Sequence, residues 1–452
     1  MAKHLGQQAV VIGGSIAGLI TARVLADFFT HVTVLERDAI EDRPVIHKSI
    51  PQGNHLHGLL QGGQQVLSSL YPGFTEALRD LGATRAIIGR DVVWYLPDGK
   101  AYNPTGSLRG PLDLGFEAHC ASRGLIEFLI RRLTLALPNV KLEAGITVRE
   151  LVHSNGRVHG VRYGDLRAFA AELVVDTGGR GSHAPQWLEA MGFSRPGETT
   201  IGVDTAYSTA NFRRPRSYTG EPLIFVTGPA PHFTRRGYLI TIENETLLVS
   251  LIGRFGDYPP TDKAGFFNFA KELHSPFIYE LIGEAEQLTQ INHYRFPTSV
   301  QRHYERMTAF PEGFLVLGDA VCSFNPIYAQ GMSAAALQAR VLQQMLSERV
   351  AQSRGLEGIA ASFFPKMAEI NSTPWSLAAS FDFAYPQTRG ECPPGVEERA
   401  RYFAAVDQLQ QEDPAVQRLV TEVFQLLRPV SALQEEPLRS RVLEQLRKQT
   451  VN

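Results

Sequence analysis

The chain has 452 residues, enough to bury more than one core and to form two or three lobes. Charged residues are 20% of the total and the formal net charge is -2, so no basic footprint for nucleic acid or an anionic membrane stands out and neither is expected as a partner. Cys120, Cys322 and Cys392 lie far apart without a CxxC pair, no export signal is legible in MAKHLGQQAVVIGG, and no apolar run reaches the roughly 18 to 20 residues of a spanning helix, so the expectation is a cytoplasmic protein with free thiols.

The first element is the apolar run Ala9 to Ile12, the pattern of a parallel strand covered on both faces. GGSIAG, Gly13 to Gly18, follows and opens a helix of apolar spacing over Leu19 to Leu25. A helix N-terminus offers unpaired N–H groups to a pyrophosphate, and glycines let the backbone come close. The next strand, His31 to Leu35, ends at Glu36 beside Arg37, where a carboxylate accepts from ribose hydroxyls; an acid here suits the unphosphorylated ribose shared by FAD and NAD. Ser15 stands at the middle glycine of the GxGxxG pattern, while Gly13, Gly14 and Gly18 are kept.

A Gly/Pro/His-rich loop runs from Arg43 to Gly63, long enough to be functional. His55 and His57 in NHLHG suggest an HxH metal pair. With no third ligand at characteristic spacing, no metal site is predicted, and the two rings are expected to line the cofactor or the substrate passage. Helical pattern covers 64–82, a strand and turn follow from Asp91, and a helix over 122–137 carries Arg123 at its head. After strands near 140–152 and 157–163, Glu172 to Ser182 reads as another buried strand running into a glycine turn, DTGGRGS. From 197 to 295 the pattern is antiparallel, with a hairpin at Arg236 to Ile252. Phe-rich stretches at 264–269 and 376–385 offer apolar lining, while any single phenylalanine in them is expected to be ordinary core. A last buried strand, Phe314 to Leu317, ends in GDAVCSFNPIYAQGM, and residues 351–452 are mostly helical with a break at PQTRGECPPG.

GGSIAG with Glu36, DTGGRGS and GDAVCSFNPIYAQGM together resemble the single-component FAD-dependent monooxygenases of the aromatic-hydroxylase group. The likeness spans about residues 8 to 345. PQGNHLHGLL, the CSFNP turn and the tail DPAVQRLVTEVFQLLRPVSAL look most like the epoxidase-like branch, which includes polyene epoxidases and squalene epoxidase. The resemblance implies an α/β fold, α+β overall: a glutathione-reductase-like Rossmann FAD domain from residues 1–90, 110–196 and 296–350, an antiparallel-sheet substrate domain from 91–109 and 197–295, and a C-terminal helical region over 351–452. It implies that FAD is bound by Gly13, Gly14, Ser15, Ala17, Gly18, Glu36, Arg37, Arg123, Asp319, Pro326, Gln330, Gly331 and Met332. Asp319 would sit at the ribityl or pyrophosphate region, and the Gly331 and Met332 amides at the ring edge. Pro326 and Tyr328 would form the flavin-side catalytic environment, with Tyr328 packing on the ring. Ala329 departs from the glycine usual before Gln330, and Cys322 stands in or near the place of the usual histidine.

The chemistry expected from this likeness needs NADPH or NADH as transient reductant, with no nucleotide domain of its own, and O2. A flavin C4a-hydroperoxide then epoxidises an alkene in a bulky, largely apolar small molecule. Hydroxylation of an aromatic or indole-like ring by the same flavin chemistry is the alternative, and a flavin dehydrogenase without oxygen insertion the second. The sequence does not indicate an oligomeric state.

Overall fold

A computed structural model of the chain describes residues 4–102, 112–164 and 167–451. The stretch 103–111, which takes in the end of the expected 91–109 segment, lies outside the described residues. Strands Phe314–Val316, Leu173–Asp176, Gly6–Ile12, Phe29–Glu36 and Val140–Ala144 lie side by side in that order as one parallel sheet. Ala9, Val10, Val11, Val174 and Val175 are fully buried because helices and loops cover both faces, which is why these strands read as unbroken apolar runs. Helix Ile16–Leu25 packs on this sheet beside helices Arg123–Leu135 and Gly331–Ala351. Ser122 caps the second of these, its hydroxyl accepting from the Leu125 N–H at 3.1 Å.

Among the described residues, nine strands form a second sheet, the second layer. Its centre is Asn292–His303, Gly197–Arg213, Thr246–Arg254, Arg236–Ile242 and Leu223–Val226, each antiparallel to the next. Alternation divides the side chains cleanly. Ala210, Phe212, Leu239, Leu247, Val249 and Leu251 face away from the parallel sheet and pack on Phe266, Phe269, Ile278 and Ile282 of two short helices. Burying each of the larger of these, the Phe, Leu, Ile and Val side chains, contributes about 1.5–3 kcal/mol. Phe266 and Phe269 are therefore core on the far face, as expected of any single phenylalanine in that stretch. The register brings the other set onto the opposite face: Tyr294, Tyr207, Ile252 and Arg236 in one cross-strand row, and Phe296, Thr205 and Arg254 in the next.

Helix Ile359–Asp382 continues from the first core, and helices Val396–Glu412, Pro414–Phe424 and Leu438–Val451 close a separate apolar cluster around Val406, Val420 and Val442. Among the described residues, no helix is long and apolar enough to cross a membrane.

Candidate active site

Three turns, each at the carboxyl end of a parallel strand, meet at one place. The first follows strand Gly6–Ile12. Gly13 has φ +103° there, and a Cβ on it would lie 2.8 Å from the Thr177 carbonyl oxygen. The second turn is held against the first by Thr177, whose N–H and hydroxyl both donate to the Ile12 carbonyl, at 2.9 and 2.7 Å. Gly14 lies against Glu36. Its N–H donates to Glu36 Oε2 at 2.6 Å, and an added Cβ would come 2.8 Å from Glu36 Cβ. Gly18 lets the helix pack directly on the Gly13 carbonyl.

The turns enclose a cavity of about 470 Å³. Gly13, Ser15, Ala17, Glu36 and Arg37 line it from the first turn and second strand, Thr177 to His183 from the second turn, and Asp319, Pro326, Gln330, Gly331 and Met332 from the third, with Arg123 at one side. Gly14 and Gly18 lie behind this lining. Tyr328 is also off it: its hydroxyl turns away and donates to Asp382 Oδ1 at 2.7 Å.

Charge beneath the cavity is tightly knit. Arg123 donates to Ser15 Oγ at 2.8 Å and pairs with Glu127 Oε2 at 3.0 Å, Ser15 Oγ donates to the same carboxylate oxygen at 2.8 Å, and His47 Nε2 lies 2.9 Å from Glu127 Oε1. Burial pushes the Glu127 carboxyl up, but Arg123, His47 and Ser15 outweigh it and hold it below the ordinary value. The hydrogen bond to Glu127 in turn raises His47. Sequence reading found Arg123 and missed Glu127, although the i,i+4 spacing in RGLIE carries the signal.

The unsatisfied polar groups of the cavity fit FAD. Gln330 Oε1 is buried without a partner, and the Asp319 carboxylate makes no hydrogen bond to the described residues. Burial raises Asp319 against the pull of Arg123 and Arg180. Two helices, Ile16–Leu25 and Gly331–Ala351, begin at the cavity with no acidic residue in the first turn and no side-chain cap. Acceptors for a polyol, helix N–H donors for a pyrophosphate and a second set of N–H donors for an electron-rich ring edge are the partners FAD requires.

On the far side of the cavity stand Tyr294 and Phe296 of the second sheet, with Arg180 stacked 4.7 Å from the Phe296 ring and bonded through Nη1 and Nη2 to the Thr298 carbonyl and hydroxyl, at 2.5 and 2.7 Å. His55 packs against Tyr207 and Tyr294, its Nδ1 2.7 Å from Thr209 Oγ1 and its Nε2 buried without a partner. Burial drives His55 down to about 3 and His57 to about 4, so both rings are neutral. His57 Nδ1 meets the His55 carbonyl at 2.9 Å and its ring lines the cavity, while His55 faces the sheet. Cys322 is buried with its thiol raised by desolvation. Ala329, in place of a glycine, holds φ +56°.

No protein-family profile matches the chain. It is 32% identical over 394 residues to Protein Rv3254 of Mycobacterium tuberculosis, covering 85% of this chain and 81% of that one. It is 24% identical over 418 residues to Squalene epoxidase 4 of Arabidopsis thaliana, across 86% and 72% of the two chains. Among solved structures, the flavin-dependent brominase Bmp2 superposes with a TM-score of 0.68 at 15% identity, over 98% of this chain and 100% of that one. The chain thus belongs to the family of the mycobacterial Protein Rv3254 and has the FAD-binding fold of the group A flavoprotein monooxygenases.

Proposed function

We propose that the protein is an FAD-dependent monooxygenase that hydroxylates an electron-rich aromatic or indole-like ring, with NAD(P)H as reductant. One observation carries the reading: the three-turn cavity is lined opposite its turns by Tyr294 and Phe296 of the second sheet, behind which the Tyr207 hydroxyl and His55 Nε2 are buried without partners. When bound, FAD supplies the two-electron chemistry with NAD(P)H and O2.

The chain's own residues do the rest. Ser15 and the first helix hold the pyrophosphate, and Glu36 with Asp319 accepts from hydroxyls. The amides of Gly331 and Met332 favour negative charge at the ring edge. Tyr294, Phe296 and Pro326 exclude water and set the approach of the substrate.

Tyr207 hydroxyl and His55 Nε2, both buried and unpaired, favour the ring over the alkene. A hydrocarbon alkene would leave them unsatisfied, at a cost of roughly 1–3 kcal/mol each, whereas a ring bearing hydroxyl or amine groups bonds to them. Epoxidation of an alkene is the second reading, and the relation to Squalene epoxidase 4 supports it.

The test is incubation of the FAD-loaded protein with NADPH, ¹⁸O₂ and matched panels of phenols, indoles and polyenes, followed by mass spectrometry. Label in a ring hydroxyl is the expected result. Label in an epoxide selects the second reading, and oxidised product without label under every substrate refutes oxygen insertion.

A further inference from the structure

The sheet face beside the cavity buries more positive charge than negative. Arg254, at the end of strand Thr246–Arg254, is 0% exposed, and its Nη2 donates to Asp382 Oδ1 at 2.9 Å. That carboxylate oxygen also accepts from Asn325 Nδ2 at 3.0 Å and Tyr328, so it is already crowded. Arg236 stands on the same face, one strand and one pleat away. It forms no ion pair among the described residues; its contacts are the Tyr238 and Tyr385 hydroxyls, each at 3.4 Å. The face therefore carries two guanidinium groups and one carboxylate, which only Arg254 reaches.

Donors are left over as well. Arg254 Nε and Nη1 and Arg236 Nε are buried without an acceptor, as is the Tyr207 hydroxyl one pleat from Arg254, against a single bare acceptor, Asp382 Oδ2. A structural ion pair would not be arranged in this way, because each unpaired buried donor destabilises the chain. A planar guanidinium with a free edge is the group that binds a carboxylate in two places. The site is also within reach of the chemistry. Arg254 shares its cross-strand row with Phe296, which lines the cavity, two interstrand spacings or about 10 Å away. Asn325 and Tyr328, bonded to the same Asp382, bracket Pro326.

We infer that the Arg236–Arg254 face is an anion subsite, and that the substrate carries an ionised acidic group, a carboxylate on or near the ring to be oxidised. This deepens and rests on the ring-hydroxylation reading. Tyr207 and Tyr385 complete the subsite as neutral partners.

The experiment titrates the FAD-loaded protein with benzoate and indole-3-carboxylate, and with benzamide and indole-3-carboxamide, following the visible flavin spectrum. Wild type is expected to prefer at least one acid over its amide by about 10-fold or more, as a charge-assisted pair requires. Removing Arg254 strips Asp382 of its cation and risks the fold, so the deciding variant is Arg236→Met, which breaks no ion pair. It is expected to reduce the preference to less than about 3-fold with FAD content unchanged and ligand-free thermal stability raised, while Arg236→Lys keeps part of the preference. Equal binding of acid and amide by wild type, no spectral response to either acid, or an Arg236→Met protein that keeps the preference would overturn the subsite. Acid binding without ¹⁸O incorporation would instead sink the oxygenase reading and leave the subsite standing; labelled products formed with no dependence on an acidic group would do the reverse.

Discussion

The molecule buries two clusters of charge, and they are finished differently. Under the cofactor cavity, Arg123, Ser15, Glu127 and His47 answer one another: Arg123 has no buried nitrogen without an acceptor, and Glu127 Oε1, which has no other hydrogen-bond partner among the described residues, is held by its ion pair to His47. On the sheet face, only Arg254 pairs with Asp382, the two arginines keep three bare nitrogens, and Asp382 Oδ2 is bare as well. A closed cluster pre-organises a surface against which a ligand rests. An open one is completed by the ligand itself, and the chain carries its cost until then.

Removing the carboxylate from each cluster is the strongest way to break this contrast. Glu127→Gln and Asp382→Asn are each expected to destabilise the protein by about 3–5 kcal/mol in chemical denaturation, because a buried cation loses its partner. Asp382→Asn is expected to be the worse of the two, since it leaves two arginines uncompensated where one already lacks an ion pair. Equal, small losses would mean that neither cluster is held by its charges.

The opposite sign is expected for Arg236→Met. With no ion pair to break, it should raise the stability of the ligand-free protein by about 1 kcal/mol, visible as a higher midpoint in the same denaturation series. A large loss would show that Arg236 is structural.

A smaller effect belongs to the turn between the clusters. Ala329 at φ +56° is strained in a way glycine is not, so Ala329→Gly should gain about 0.5–1 kcal/mol, less the chain entropy glycine costs. A neutral or destabilising result would place the strain elsewhere.

The smallest effect is a pH dependence confined to the closed cluster. His47 is raised in the folded protein by its hydrogen bond to Glu127, so protonation at this site favours folding. Its stabilisation is complete below the ordinary histidine value of about 6.5 and is lost as pH rises through the raised folded value. The difference in melting temperature between wild type and His47→Gln should therefore shrink as pH is raised from 6 to 9. A difference that is flat across that range would contradict the ion pair.

The cofactor side of the molecule was legible because its signals are local. A strand, the glycine turn GGSIAG and a helix follow one another directly, and Asp319, Pro326 and Gln330 lie in one continuous stretch between a strand and a helix, so local backbone chemistry points to them. The sheet face was not. Arg254 and Asp382 are 128 residues apart and meet only through the packing of helix Ile359–Asp382 against the second sheet. In sequence, SLAASFDFAY looked like apolar lining. Its lasting contribution is the one carboxylate it hides. Tyr328 misled for a related reason: adjacency to Pro326 suggested packing on the ring, while the pull of Asp382 turns the hydroxyl away.

The central claim is that three distant turns hold one FAD. Its most direct measurement is the flavin-to-protein ratio after reconstitution with FAD and gel filtration, for wild type and for Asp319→Ala, whose carboxylate makes no hydrogen bond to the described residues. An equimolar, yellow wild type and a variant that sheds most of its flavin are expected. A wild-type chain that stays colourless, or a variant that retains FAD as well as wild type, would contradict it.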